Sequence, residues 1–157
     1  MLTRRKTLGL FGLAALAARS GTGLARAADD KVEHSDAEWR KLLTPDQYAV
    51  LRHEGTERAF TSPLLHEERK GIFACAGCSL DLFSSDAKFD SGTGWPSFWA
   101  PLDHAVNERD DRTYGMSRTA VSCRRCEGHL GHVFNDGPKP TGLRYCMNGV
   151  ALTFKPA

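Results

Sequence analysis

The sequence has no acidic residue in its first 28 positions and no apolar run long enough to cross a bilayer. The apolar run at that end covers residues 8–18, well short of the roughly 20 residues that a transmembrane helix needs. Basic residues precede the run, and Ala25-Arg26-Ala27 suits signal-peptide cleavage. We therefore predict that residues 1–27 are a removable signal peptide and that the domain comprises residues 28–157, with no stable membrane anchor.

The basic cluster reads TRRKTL from Thr3, which resembles the bacterial twin-arginine export signal. A receptor reads this signal as an address, and it does not anchor the protein. The alternative is an ordinary secretory signal whose basic end happens to contain two arginines. We expect a periplasmic protein, exported by the twin-arginine route.

The chain also lacks a strong excess of either charge. Five of its 21 basic residues lie in residues 1–27, so residues 28–157 carry 16 basic against 19 acidic side chains, a formal charge of −3. This balance gives no electrostatic basis for binding nucleic acid or an anionic membrane. No low-complexity segment is present, and the remaining 130 residues suit one domain with one core, which we expect to be a monomer.

Helix signals are confined to the start of this domain. The sequence carries two capping boxes, Ser35 with Glu38 and Thr44 with Gln47. They predict short helices that begin near Asp36 and Pro45, the second running to about His53 and stopping at Gly55. We expect both helices to do no more than cover a sheet.

Beyond Glu57 the helical period disappears, and short apolar stretches alternate with turn residues. This pattern predicts a mainly β domain with antiparallel strands. The candidate strands are residues 71–74, 80–83, 95–99, 114–121, 130–134 and 143–154. Residues 142–154 are the longest candidate, and on such a strand Asn148 would share a face with Cys146 because side chains repeat every second residue.

Four of the five cysteines form two Cys-x-x-Cys pairs separated by 44 residues. The pairs are Cys75 with Cys78 and Cys123 with Cys126. Two turns with this spacing present four sulfurs to a tetrahedral ion, which predicts one zinc site per chain, and Gly77 and Gly128 suit the tight turns. Two disulfides are the alternative in an exported protein. Four sulfur ligands leave no open position, so the zinc would be structural.

Cys146 is the cysteine that such a metal does not need. Arg144 lies two residues away and would stabilise a thiolate electrostatically, the reactive form of the side chain. The alternative is a buried cysteine that acts as a small hydrophobic residue. A spare cysteine is where nucleophilic or redox chemistry should first be sought.

Three further residues accompany this thiol. His129 and His132 lie three apart, a spacing that suits neither a helical zinc pair nor strand alternation, and we interpret them as a proton donor and a substrate contact. Structural roles, or completion of a Cys2His2 zinc site, are the alternatives. Trp95 lies between a glycine-rich turn and Pro96, where its ring belongs either to the core or to the wall of a small pocket.

Together these residues resemble the methionine-R-sulfoxide reductase family of the MsrB type. The resemblance covers nearly all of residues 28–157, and its motifs are WRKLLTPDQYAVLRHEGTERAF, GIFACAGCSLDLF, KFDSGTGWPSF and HLGHVFNDGPKPTGLRYCMNG. It implies two antiparallel sheets with the zinc opposite the active site. It also implies reduction of the R epimer of methionine sulfoxide, chiefly within polypeptides.

The resemblance assigns roles position by position. Cys146 corresponds to the nucleophile, with Trp95, His129, His132 and Asn148 around the substrate. Attack by Cys146, with a proton delivered through His129 or His132, would release methionine and leave a sulfenic acid. Trp95 would hold the methyl group, and Asn148 would fix the orientation of thiol or substrate.

The sequence departs from part of the family at Thr93, where many members have a cysteine that attacks the sulfenic acid. With four cysteines on zinc no resolving thiol remains, so we expect reduction by a thioredoxin-like protein or a small thiol. Two other functions stay open at this stage. One is a noncatalytic zinc-stabilised binding module, and the other is a reductase of free methionine-R-sulfoxide.

Overall fold

The computed structural model describes residues 31–157, and the predicted signal peptide lies outside them. Within these residues no helix has the length and apolar character needed to cross a membrane. Both predicted helices are present, α1 over Asp36–Leu42 and α2 over Pro45–His53, and both capping boxes are formed. Helix α2 ends at His53, as predicted, but Glu54 and not Gly55 takes the left-handed conformation that ends it, with φ of 55°.

Within residues 31–157, nine strands form two antiparallel sheets, as predicted. The strands are β1 (Gly71–Cys75), β2 (Asp81–Ser84), β3 (Lys88–Phe89), β4 (Ser97–Phe98), β5 (Val106–Asp111), β6 (Arg118–Cys123), β7 (His129–Phe134), β8 (Arg144–Met147) and β9 (Leu152–Pro156). One sheet has the order β2-β1-β9 and the other the order β3-β4-β8-β7-β6-β5. Short 3-10 helices cover Pro63–His66, Ser85–Ala87, Thr113–Gly115 and Gly149–Ala151.

The long strand expected over residues 142–154 is wrong. A 3-10 turn, Gly149–Ala151, divides it into β8 and β9, which belong to different sheets. The carboxylate of Glu57 accepts hydrogen bonds from the N–H groups of Gly149 (2.6 Å) and Val150 (2.9 Å) and so holds the turn. Gly149 also passes so close to Ser62 that a Cβ there would lie 1.8 Å from the hydroxyl oxygen.

Strand β5 was not predicted, because its sequence VNERDD carries four charges and no apolar alternation. It lies at the edge of the larger sheet and pairs only with β6, so four of its side chains are exposed and need no apolar character. The strand predicted over 114–121 begins later, as β6, after the 3-10 turn Thr113–Gly115, and the one predicted over 95–99 is only β4.

The core lies between the two sheets and is built largely from aromatic rings. Phe73 of β1 packs on Phe98 of β4 with ring centroids 5.0 Å apart, and Phe83 of β2 stacks on Phe98 at 4.4 Å. All three are fully buried, as are Leu130 and Met147 on the same side of the larger sheet. Burial of each such side chain contributes about 1.5–3 kcal/mol to the free energy of unfolding. One face of the larger sheet is thereby closed, which leaves the opposite face for polar side chains.

Candidate active site and metal centre

A β-bulge in β7 brings the two predicted histidines onto one face. Ala120 of β6 lies opposite His132, and Ser122 lies opposite His129, so one extra residue of β7 is accommodated between the two pairs. That extra residue shifts the alternation by one position, and residues three apart then point to the same side. The two imidazole centroids are 5.3 Å apart, edge to face. The bulge explains a spacing that plain strand alternation does not.

Cys146 lies on the same polar face as His132. The two residues are directly opposite each other in the β7–β8 pair, and Ser97 lies opposite Cys146 on its other side, in β4. Directly opposite residues of antiparallel strands share a face, with Cβ atoms about 4.5–5.5 Å apart. The Cys146 side chain is partly exposed. The structure therefore places the predicted nucleophile beside a predicted acid, within reach of solvent.

A guanidinium and a hydroxyl contact the sulfur of Cys146. The Oγ1 atom of Thr93 lies 3.7 Å from Sγ. Arg144 is held by Asp136 through two hydrogen bonds, of 2.8 and 2.9 Å, and lies 4.4 Å above the Phe134 ring. The hydrogen bond with Asp136 raises the pKa of Arg144, and the Cys146 sulfur adds a smaller contribution of the same sign. This arrangement agrees with the predicted stabilisation of a thiolate by Arg144.

His132 is oriented by a buried carboxylate. Its Nε2 atom lies 2.8 Å from Oδ2 of Asp111, which Arg118 also contacts at 2.9 Å. Hydrogen bonds from Thr113, followed by that from His132, hold the pKa of Asp111 well below its usual range. An ionised carboxylate only accepts, so Nε2 carries a hydrogen and donates it. The other ring nitrogen, Nδ1, is then free to carry a second proton.

His129 has a different environment. The residue is 5% exposed, and among residues 31–157 its Nε2 atom has no hydrogen-bond partner. Burial, followed by the neighbouring His132, lowers the pKa of His129 to about 4. The ring is therefore neutral near pH 7. It also lines a cavity of about 300 Å³ together with Asn107, Arg109 and Ser122.

Asn148 and Trp95 are joined through one residue, Glu57. The side-chain oxygen of Asn148 accepts from the backbone N–H of Glu57 at 2.9 Å, and the Trp95 indole donates to the Glu57 carbonyl at 3.2 Å. Asn148 also donates to the carbonyl of Leu130, from its backbone N–H at 2.8 Å and its side chain at 3.0 Å. Leu130 is the bulge residue. Through these contacts Asn148 holds the bulge of β7 in position.

Phe60 adds an exposed aromatic surface beside Trp95. Its ring is 69% exposed, its φ is 65°, and its N–H donates to the carbonyl of Gly94 at 2.8 Å. A Cβ at Gly94 would lie 2.8 Å from the Phe60 ring, so a glycine is needed for this contact. A non-glycine residue with positive φ and an exposed ring next to a predicted site is a candidate substrate contact.

The two Cys-x-x-Cys turns have the same backbone conformation. Each connects a hairpin, β1 to β2 or β6 to β7, so each belongs to a different sheet. The residue after the second cysteine has positive φ in both, Ser79 at 59° and Glu127 at 58°, and donates to the carbonyl of the first cysteine. The expected glycines are not the left-handed residues. Gly128 is instead required by packing, because a Cβ there would lie 2.8 Å from Leu51.

All four sulfurs of these turns lie within 4.8 Å of one another. The distances Cys75–Cys126 and Cys78–Cys123 are 3.6 and 3.5 Å, far longer than a disulfide bond. A zinc ion with Zn–S bonds of about 2.3 Å needs tetrahedral edges of about 3.8 Å, so the arrangement fits the ion. The alternative of two disulfides is not formed within residues 31–157, since all four cysteines are free.

The thiols of this cluster compete for protons. Hydrogen bonds among them, together with burial, raise the pKa of Cys75 and Cys126. Hydrogen bonds lower the pKa of Cys78 and Cys123 despite burial. A dication that replaces the shared protons relieves this competition. Helix α2 covers the cluster, because Arg52 donates to the carbonyl of Cys126 at 2.8 Å. The helix thus does more than cover a sheet.

Sequence reasoning missed several residues that the fold brings to the site. They are Glu57, Phe60, Ser91, Ser97, Asp111 and Asp136. Asp111 belongs to the strand that was not predicted, so no face was assigned to it. Asp136 lies two residues beyond the end of β7, in a stretch of sequence with no regular apolar period. A larger cavity, of about 840 Å³, lies between α2 and β9 and is lined by none of the predicted site residues.

The sequence is similar to that of known proteins over most of its length. The SelR domain family model matches residues 43–156. The chain is 56% identical over 127 residues to the peptide methionine sulfoxide reductase MsrB of Agrobacterium fabrum, covering 80% of this chain and 94% of that protein. It is 58% identical over 123 residues to the MsrB of Thiobacillus denitrificans (78% and 93%) and 54% identical over 129 residues to that of Methanosarcina barkeri (82% and 91%).

Proposed function

The chain belongs to the SelR family, and we propose on this basis that it reduces methionine-R-sulfoxide, mainly within polypeptides, through a sulfenic acid on Cys146. The observation that carries the proposal is the register of β7 and β8, in which Cys146 lies opposite His132. A sulfoxide sulfur is attacked only when its oxygen is protonated or strongly hydrogen-bonded. A thiolate and an acid must therefore be neighbours, as these two residues are.

The reaction begins with attack by the Cys146 thiolate, helped electrostatically by Arg144. We assign the acid to His132, because its Nε2–H is held by Asp111 and its Nδ1 atom can carry the proton. The thiolate, the sulfoxide and one proton yield methionine and Cys146 as its sulfenic acid, so the oxygen moves to the protein and the S–O bond of the substrate breaks. His129, neutral near pH 7, contacts the substrate from the side of the cavity that it lines with Asn107 and Arg109.

Peptide-bound substrate is favoured by the exposed apolar surface at Trp95. Trp95 holds the methyl group, and the Phe60 ring beside it contacts residues that flank the oxidised methionine. An apolar wall on one side and polar groups on the other distinguish the two epimers of a chiral sulfur. Zinc in the four-cysteine cluster supplies structural stability when bound and has no open position for substrate.

The test uses purified zinc-loaded protein and a peptide containing either epimer of methionine sulfoxide, with dithiothreitol as reductant. We expect reduction of the R epimer only, and loss of activity in Cys146→Ser. Free methionine-R-sulfoxide is expected to be a poorer substrate, which separates the proposal from a reductase of the free amino acid. Binding without turnover of either epimer would instead favour a noncatalytic binding module, and full activity in Cys146→Ser would disprove the mechanism.

Recycling of the sulfenic acid requires an external reductant. Two thiols reduce it, giving the Cys146 thiol, a disulfide and water, and we assign this role to a thioredoxin-like protein or a small thiol. After one turnover without reductant, mass spectrometry should find one added oxygen on Cys146 and no internal disulfide. In Thr93→Cys the introduced sulfur would replace an atom 3.7 Å from Sγ, so an internal disulfide should form. Thr93→Ser is the matched control and should form none.

We also propose export of the protein by the twin-arginine route, supported by the basic cluster at Arg4 and Arg5. That route carries folded proteins, so zinc would be bound before the thiols meet an oxidising compartment. Cell fractionation should find the protein in the periplasm, and Arg4→Lys together with Arg5→Lys should retain it in the cytoplasm. Unchanged export of the double variant would assign it to the ordinary secretory route.

A further inference from the structure

A chain of three hydroxyl groups leads from Cys146 into the protein interior. Thr93 Oγ1 lies 3.7 Å from Sγ of Cys146 and 2.8 Å from the hydroxyl of Ser91. Ser91 lies 2.7 Å from the hydroxyl of Ser97, which donates to the backbone carbonyl of Trp95 at 3.1 Å. Ser97 is only 1% exposed, so the far end of the chain is shielded from water.

The direction of this chain depends on the protonation of Cys146. Each hydroxyl has one hydrogen to donate. When Ser97 donates to Trp95, Ser91 must donate to Ser97 and Thr93 to Ser91, which leaves Thr93 as an acceptor for the thiol hydrogen of Cys146. A thiolate has no hydrogen, so the chain must reverse, with Thr93 donating to the sulfur, Ser91 to Thr93 and Ser97 to Ser91.

The reversal moves hydrogens by rotation of three hydroxyl groups and carries no proton away. The last acceptor is the carbonyl oxygen of Trp95, which has no proton to exchange. The chain therefore changes polarity with the state of the sulfur without acting as a proton exit. This separates its role from that of His132, which exchanges a proton with the substrate.

We propose that Thr93 is a catalytic residue that donates a hydrogen bond to the Cys146 thiolate and, after oxygen transfer, to the sulfenic acid, with Ser91 and Ser97 as positioning residues. The proposal rests on the proposed function for the sulfenic acid step and on the geometry alone for the thiolate. Hydrogen bonds to a charged group are about twice as strong as neutral ones. Thr93 thus stabilises the reactive form of Cys146 at the position where many family members have a second cysteine.

The experiment measures alkylation of Cys146 by iodoacetamide in the zinc-loaded protein, with the modified residue located by mass spectrometry. In Thr93→Val we expect the second-order rate constant at pH 7 to fall about tenfold, because the thiolate loses a hydrogen bond. The limiting rate at high pH should not change, since the sulfur stays equally accessible. Thr93→Ser keeps the hydroxyl and should stay within about twofold of the wild type.

Two further variants test the chain behind Thr93. Ser91→Ala should slow alkylation at pH 7 about threefold and Ser97→Ala about twofold, because each is further from the sulfur. Thr119→Val is the matched control, since Thr119 is next to Ala120 and so lies on the opposite face of the sheet. It should react like the wild type.

Three results would overturn the proposal: an unchanged rate in Thr93→Val, an equal fall in Thr93→Ser, or a limiting rate that falls as much as the rate at pH 7. Zinc content of each variant shows whether the fold is retained. Alkylation needs no sulfoxide, so a protein without reductase activity but with the expected rates would refute the proposed function and the sulfenic acid step, and would leave the hydrogen bond from Thr93 to the thiolate intact. The opposite result would refute only the role of Thr93.

Discussion

The two groups of sulfur atoms in this protein, the four-cysteine cluster and Cys146, differ in how completely the polar groups around them are hydrogen-bonded. Around the four-cysteine cluster the same turn occurs twice, with its backbone hydrogen bonds formed in each copy. Around Cys146, by contrast, the sulfur has a hydroxyl at 3.7 Å and a guanidinium, and the nearby His129 has a buried nitrogen with no partner in the described part of the chain. The hydrogen-bonded surroundings of the four-cysteine cluster suit a structural metal. The unpaired polar group near Cys146 suits a substrate that completes its contacts.

Strand β7 connects the two groups. It starts directly after the second Cys-x-x-Cys turn, and its bulge lies at Leu130, only four residues beyond Cys126. The cluster therefore fixes the end of the strand from which both imidazoles project. We infer that the metal supports the chemistry by holding the strand, and that the chemistry can be lost without loss of the metal.

The largest effect is expected from removal of the metal. Structural zinc contributes on the order of 10 kcal/mol, which is comparable to the total stability of a domain. Chelation, or Cys126→Ser, should therefore unfold the protein, while Cys146→Ser should change the free energy of unfolding by less than about 1 kcal/mol. Thermal denaturation with measurement of zinc content tests the difference. An unchanged melting temperature after complete zinc removal would erase the contrast between the two groups.

The next effect concerns the carboxylate behind His132. Asp111→Asn replaces an acceptor that holds the Nε2–H, so the imidazole loses its orientation and its help in carrying a proton. We expect kcat to fall about 10²-fold with KM little changed. Asp110→Asn is the matched control, because Asp110 is adjacent and exposed and points to the other face. Equal kinetics in both variants would show that Asp111 has no part in the reaction.

The third effect is the pH dependence that the buried His129 imposes. Its pKa is lowered to about 4 in the folded protein, against an ordinary value of about 6.5. The unfolded chain therefore binds more protons between these values, and the stability that neutral His129 contributes is present above pH 6.5 and is lost as pH falls toward 4. The loss should approach about 3 kcal/mol.

The measurement compares wild type with His129→Asn by chemical denaturation between pH 7 and pH 4.5. Loss of zinc at low pH is common to both proteins, so the difference between their unfolding free energies isolates the histidine. That difference should narrow as the pH falls. His66→Asn, at an exposed position, should run parallel to the wild type at every pH. A difference in unfolding free energy that stays constant with pH for His129→Asn would mean that folding does not lower the pKa of His129.

The sequence was sufficient for the elements whose signals are local. Capping boxes predicted both helices, and Cys-x-x-Cys spacing predicted the four-cysteine cluster that could hold a metal ion, because each depends on residues within one turn. Pairing across strands was not accessible in this way. The partner of His132 lies on a charged edge strand that has no apolar alternation, and the break between β8 and β9 depends on Glu57, some 90 positions earlier. These features exist only after the sheets have formed.

The smallest effect tests whether substrate contacts near Cys146 extend beyond the reacting atoms to Phe60. Phe60 holds a 69% exposed ring against Gly94, next to Trp95, in a backbone conformation that costs energy for a non-glycine residue. If the ring contacts residues that flank the oxidised methionine, Phe60→Ala should raise KM for a peptide about fivefold, or about 1 kcal/mol, and leave that for free methionine-R-sulfoxide unchanged. Leu42→Ala, which removes another exposed apolar side chain, should change neither. A parallel rise for both substrates would place Phe60 in the support of Trp95 and confine recognition to the sulfoxide itself.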